Sequence, residues 1–210
     1  MAVVKKGAFQ CALVEAVGTF LLALTVFQTR DPLAIGLILM AALYIGTHAH
    51  MPSLNSAVSF AEWFSGEIDL NAFFVCLGGQ VAGAVGAAVL SARLSGSVPL
   101  LHSGLPHHMM GLTEAITTFV FVSVVMSVLT HKHNELGALI IGLTTTGLII
   151  VGGGASLFNP AIALAVMIHN RLLAGMEGAQ MAHIVGFVLV PFVGAILAVW
   201  FHDFVRGMKK

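Results

Sequence analysis

Asn55-Ser56-Ala57 and Asn159-Pro160-Ala161 stand 104 positions apart, each at the head of a short apolar stretch. An Asn side chain caps a helix by accepting from a free amide of the first turn. Proline at the next position has no amide to leave unsatisfied and a preset φ. Asn159-Pro160 therefore predicts a helix start. The apolar run behind it, 161–168, is far too short to cross a hydrocarbon core of about 30 Å, which takes roughly 20 residues, so it reads as a half-helix. A half-helix is tolerated at membrane depth only where its backbone lines a cavity, and its N-terminus carries about half a positive charge. Asn55 heads the matching stretch 57–64, with Ser56 in the proline's place adding a hydroxyl and an amide that must find a partner. Taken alone, Asn-Ser-Ala is equally an ordinary turn. The two segments together suggest a pore entered from both sides, with a positive potential midway.

The other reactive side chains read as structure. Glu15 and Glu114 lie within apolar runs, where a carboxylate must face protein or water and find donors. A proton relay is one use for them. Holding the irregular backbone beside each half-helix is the favoured one, because both halves carry the residue. The chain has 10 His, among them His48-x-His50, His107-His108 and His131-x-His133. Imidazole is a common metal ligand and titrates near neutrality, so these pairs raise a metal site or a pH gate. The second and third pairs fall on opposite sides of the membrane and cannot share an ion. Interfacial packing is their preferred reading, a gate through His48, His50 or the loop histidines the next, and no metal, cofactor or catalytic residue is expected.

Composition sets the solvent. Hydrophobic residues make up 58% of 210 and charged ones 9%, with mean hydropathy +0.99; soluble domains carry about a quarter charged. Runs long enough to span are 9–27, 33–49, 70–90, 111–129, 136–151 and 181–201. The second and fifth are short because each leads into a half-helix, a sign of broken helices. The predicted fold class is an all-α membrane protein of six transmembrane helices plus two re-entrant half-helices, one multi-pass channel domain over 1–210. With both termini cytoplasmic, Lys5, Lys6, Lys132, Arg206, Lys209 and Lys210 lie inside against Arg30, Arg93 and Arg171 outside, as the positive-inside rule prefers. The first run lacks a small-residue cleavage site and continues as a span. Cys11 and Cys76 both fall in spans and say nothing about compartment. Zero net charge without a basic run makes nucleic acid an unexpected partner.

The chain repeats itself. Leu13, Glu15, Ala16, Thr19 and Phe20 recur as Leu112, Glu114, Ala115, Thr118 and Phe119 at a constant offset of 99. Ile35-Gly36-Leu37 recurs as Ile141-Gly142-Leu143, and Val85-Gly86-Ala87 as Val193-Gly194-Ala195. Three spans per half give halves of opposite orientation, 9–92 and 111–203, an inverted repeat that puts the substrate path at the repeat interface. Gly78, Gly79, Gly83, Gly86 and Gly194 suit close helix packing.

Glu15 with Thr19, Gln80, the doubled Asn-x-Ala and the repeat together resemble the aquaporin and aquaglyceroporin family, the major intrinsic proteins, along the whole chain. The resemblance implies a passive channel, not an enzyme, with one pore per subunit of a homotetramer in a lipid bilayer. It also implies that Asn55 and Asn159 donate hydrogen bonds to a single file of solute. Members usually carry Arg directly after the second Asn-Pro-Ala; here Ile162 stands there. The implied selectivity filter is Ile35, Ile162 and, in the fifth span, Gly147 or Ile149, with backbone carbonyls of 152–157 as the polar rail. An apolar filter costs water more hydrogen bonds than it returns and slows or gates it by dewetting. Water, glycerol, urea, hydrogen peroxide, ammonia and metalloid hydroxides are the candidate partners. Ala163 departs from the Asp of glycerol facilitators, and Phe187 and Val188 look mixed between subtypes. Ions are expected to remain excluded by the two half-helix termini, which a measurable proton or Na⁺ conductance would contradict. A proton-coupled secondary transporter shares the inverted repeat but needs a titratable group at its midplane site, where Asn, Ser, Pro and Ala stand here. A non-conducting paralogue is the third reading.

Overall fold

Asp31 opens the second helix as its sequence demands: its Oδ1 accepts from the Ala34 amide at 2.7 Å, and Pro32 takes the first helical position. Asp69 does the same for the Ala72 amide at 2.8 Å where the chain turns into its next span. The computed structural model describes residues 7–47, 51–95, 107–131, 135–154, 156–173 and 178–207. Their regular structure is α1 (Ala8–Gln28), α2 (Pro32–Gly46), α3 (Ser56–Phe64), α4 (Leu70–Ser95), α5 (His107–Thr130), α6 (Gly137–Val151), α7 (Pro160–Leu173) and α8 (Gly178–Gly207). No strand occurs among the described residues.

Helices α1, α4, α5 and α8 contain stretches long and apolar enough to cross a bilayer. Helices α2 and α6 have 15 residues each, about 22 Å at 1.5 Å per residue, too short to cross alone. Each leads into a loop and a half-helix, α3 with 9 residues and α7 with 14. The predicted half-helix 57–64 matches α3 to within one residue. Helix α7 outruns the predicted 161–168, since no Gly or Pro stops it before Leu173.

Helix α1 packs on α4, α5 on α8, and α2 on α6. Glycine makes these approaches possible. A Cβ on Gly83 would run into the Ala16 carbonyl oxygen, and one on Gly194 would lie 2.5 Å from the Ala115 oxygen. Ala16 and Ala115 are repeat partners, so Gly83, not Gly86, is the counterpart of Gly194. Gly86 meets only the Phe20 ring at 3.5 Å, and Gly78 faces open space. The Val-Gly-Ala match is thus displaced by three residues. Three residues are nearly one helical turn, which keeps the pattern on the same face and makes the shifted register look right. Between the halves, a Cβ on Gly36 would lie 2.5 Å from the Gly142 oxygen and one on Gly142 would lie 2.6 Å from the Gly36 oxygen. That reciprocity is the mark of a local twofold axis between α2 and α6, and the fold is an inverted repeat.

The buried core runs from Leu22, Phe27 and Leu39 through Leu54 to Met126, Ile162 and Val166. Phe9, Tyr44, Leu112, Val151, Trp200 and Phe204 are exposed on the outside. A surface of large apolar side chains suits lipid rather than water.

Candidate transport pore

The loops before the half-helices bend sharply. Leu54 and Phe158 take φ of +51° and +35°, a left-handed conformation that costs a side-chain-bearing residue about 1–3 kcal/mol. One buried carboxylate holds each bend in place. Glu15 accepts from the Ser53 and Leu54 amides at 2.8 and 2.9 Å. Glu114 accepts from the Leu157 and Phe158 amides at 2.7 and 2.8 Å. The same pair of bonds is formed in both halves, from α1 and from α5.

Each bend ends on an asparagine whose two ends do different work. Asn55 Oδ1 accepts from the Ala57 amide at 2.9 Å, and its Nδ2 donates to the Phe158 carbonyl at 2.8 Å. Asn159 Oδ1 accepts from the Ala161 amide at 3.2 Å, and its Nδ2 donates to the Leu54 carbonyl at 2.9 Å. Each asparagine therefore caps its own half-helix and ties down the loop of the other. A side-chain amide carries a second N–H, and both asparagines line the cavity described below. Ser56, Ala57, Pro160 and Ala161 are buried at the helix starts. The Ser56 hydroxyl donates to Gln80 Oε1 at 2.9 Å, while Gln80 Nε2 donates to Glu15 and to Ser59, each at 2.8 Å. In the register set by Gly83 and Gly194, Pro191 replaces Gln80 in the second half. Serine where the other half has proline is thus matched by glutamine where the other half has proline.

Two openings lie on opposite sides of the half-helix starts; the one beside the α1–α2 turn is termed outer and the other inner, as labels only. The outer cavity has about 70 Å³ of room for water centres, enough for several waters at roughly 10–15 Å³ each. Ile35, Ile149 and Ile162 line it together, with Phe27, Arg30 and Thr145. Gly147 does not join them: it faces outward into open space. Two residues along a helix turn the side chain by about 200°, so only Ile149 of the two fifth-span positions faces the cavity. Gly154, Ser156 and Leu157 of the predicted rail also line it, with Gly153 and Gly154 left-handed at φ +67° and +74°. The inner opening has only about 10 Å³. Leu43, Val58, Leu129, Ile141 and Glu62 line it, and Ser53 and Phe121 border both openings. The Ser53 hydroxyl donates to Glu62 Oε2 at 2.6 Å.

The two mouths are built from the same positions of the two halves. Ile35 outside corresponds to Ile141 inside, Ile149 to Leu43, Ile162 to Val58, Val26 to Val125, and Arg30 to Leu129. Sequence reasoning missed Arg30, Glu62, Phe121 and Thr145 as lining residues. The offset of 99 already present in α1 and α5 is the signal that pairs Arg30 with Leu129.

Other predicted residues lie elsewhere. Phe187 is buried with Ala163 and Met110, and Val188 packs against them. His48, His50 and His133 lie outside the described residues. His107 and His131 stand at opposite ends of α5, about 36 Å apart along its axis, and share no site. Among the described residues no group of three or more His, Cys, Asp and Glu is arranged to hold a metal.

Two half-helices meeting head to head in a six-span inverted repeat, with an opening on each side, define a channel-type membrane protein. The sequence profile "Major intrinsic protein" matches residues 29–202. The chain is 33% identical over 213 residues to "Glycerol uptake facilitator protein-like 6" of Lactiplantibacillus plantarum, covering 89% of this chain and 93% of the relative. It is 37% identical over 98 residues to "Probable aquaporin AqpM" of Archaeoglobus fulgidus, a match to 44% of this chain and 38% of that protein. Its fold superposes on the X-ray structure of the aquaglyceroporin from Plasmodium falciparum with a TM-score of 0.81 at 19% identity, covering 95% and 97% of the two chains. The chain belongs to the major intrinsic protein family and is a membrane channel for water and small solutes.

Proposed function

We propose that this channel passes small uncharged solutes, glycerol and urea foremost and hydrogen peroxide with them, more readily than its apolar mouth lets water through. The observation that carries this reading is the ring of Ile35, Ile149 and Ile162 around the outer cavity. Water crossing three isoleucines gives up hydrogen bonds with few replacements, whereas a polyol or urea keeps apolar or planar surface against the ring and turns its polar edge to the loop carbonyls. The glycerol relative covering 89% of the chain supports the same solute class.

In this reading Asn55, Ser56 and Ala57 with Asn159, Pro160 and Ala161 form the midpoint station. The second amide hydrogens of the two asparagines bind the solute in transit. Glu15 and Glu114 position the loops. The two repeats are 9–92 and 111–203, both termini are cytoplasmic, and the unit assembles as a homotetramer with one pore per subunit.

Stopped-flow light scattering on purified protein in proteoliposomes tests the solute class. Glycerol and urea uptake should exceed that of empty liposomes, and Ile162→Arg should depress glycerol uptake by filling the outer cavity. Water flux without solute uptake would overturn the reading.

A further inference from the structure

Arg30 is the single charged residue among the described side chains that line the outer cavity. It reaches that position by an unfavourable backbone. Its φ is +53°, a left-handed conformation in which a side-chain-bearing residue costs roughly 1–2 kcal/mol. The turn is pinned on both sides. Thr29 closes α1 with its amide on the Thr25 carbonyl at 3.0 Å, and its hydroxyl accepts from the Asp31 amide at 3.1 Å. Asp31, the neighbouring negative charge, is turned toward α2, where it accepts from the Ala34 amide at the positive end of that helix. It is not among the lining residues. At the inner opening the position related to Arg30 is occupied by Leu129, and the one ionisable side chain among the described lining residues there is the buried carboxyl of Glu62. The two mouths are therefore built from matching positions, but among the described side chains only the outer mouth carries a cationic one.

We infer that Arg30 is a specificity-determining residue of the outer mouth: its guanidinium repels cations ahead of the isoleucine ring and leaves neutral solutes of the same shape to pass. The ring itself carries no charge, and the half-helix termini act deeper, at the asparagines. A cation approaching within about 6 Å of a guanidinium at a partly screened surface meets a repulsion that lowers its permeation roughly tenfold. Arg30 is exposed, so this barrier is screened by salt. The inference rests on the channel reading above.

The test compares neutral solutes with cations of the same shape in proteoliposomes: urea with guanidinium, and formamide with formamidinium as a smaller pair. The ratio of cation to neutral permeability is read within each preparation, so that any change in overall flux cancels. Arg30→Gln should raise the ratio about tenfold, while Arg30→Lys keeps it low. In the wild type the ratio should climb from low to high salt, and in Arg30→Gln it should be flat. An unchanged ratio in Arg30→Gln would overturn the inference and leave cation exclusion to the half-helix termini. Should that variant not fold, a salt-independent ratio in the wild type would overturn it equally. Loss of both neutral fluxes in the wild type is a different outcome, which removes the solute-channel reading and this inference with it.

Discussion

Glu114 is worth more to this protein as an acceptor than as a charge. Its two oxygens take the amides of Leu157 and Phe158, and the second of these residues sits in a left-handed bend. Truncation leaves two buried N–H groups without acceptors, each at about 1–3 kcal/mol. Glu114→Ala should therefore lower stability by about 2–6 kcal/mol, and Glu114→Gln by less, because one acceptor oxygen remains. Thermal unfolding in detergent followed by circular dichroism measures both; equal midpoints for wild type and Glu114→Ala would refute the bonding role. At this scale much of the site is legible in the sequence. Asparagine before proline announces a cap, and a glutamate inside an apolar span announces a set of buried donors, because both follow from local hydrogen-bond accounting. Arg30 and Glu62 are not legible in that way. An arginine in a turn and a glutamate on a short helix read as solvated charges until the fold brings the turn over one opening and the half-helix beside the other.

Elements cross this molecule at glycine, and the crossing decides which glycines matter. Gly142 and Gly36 have each other's carbonyl oxygens where a side chain would begin. Gly142→Val pushes α2 from α6 along the local twofold and is expected to cost about 3 kcal/mol, at the upper end of the range for overpacked contacts. Gly147, on the same helix, faces open space, so Gly147→Ala should be neutral or stabilising by up to about 1 kcal/mol from helix propensity alone. Comparing the unfolding midpoints of these two variants separates close approach from composition; a harmless Gly142→Val would remove the crossing from the account. Composition and the cap motifs suffice to read six spans and two half-helices, since hydrophobic length and N-capping are local. Register is not local. Val-Gly-Ala recurs one turn away from the glycine that touches Ala16, and a loop of uncertain spacing left Gly147 and Ile149 as alternatives in α6. Packing resolves both, because only one register brings small residues against a carbonyl and only one face of α6 meets the cavity.

At the scale of the whole pore, the inverted repeat makes two mouths of matching positions but unequal width, with about 70 Å³ outside and about 10 Å³ inside. Resistances along a single-file path add in series, so the narrower half governs the total. Inside, Leu43, Val58 and Leu129 crowd around a space that holds roughly one water, and Glu62 offers the one carboxylate among the described lining side chains. Widening this half should act on flux far more than widening the other. Leu129→Ala, at the inner lip, is expected to raise permeability to the bulkier glycerol severalfold, while Ile35→Ala, at the outer ring, changes glycerol flux little and raises water flux, relaxing the discrimination against water. Leu129 is only partly buried where it packs on the core, so the truncation leaves a wetted recess rather than a sealed void, and folding should survive it. Stopped-flow traces of the two variants in the same lipid decide the matter. If Ile35→Ala proves the faster channel for both solutes, the constriction lies at the outer isoleucines, and the inner leucines only surround a path that is already open.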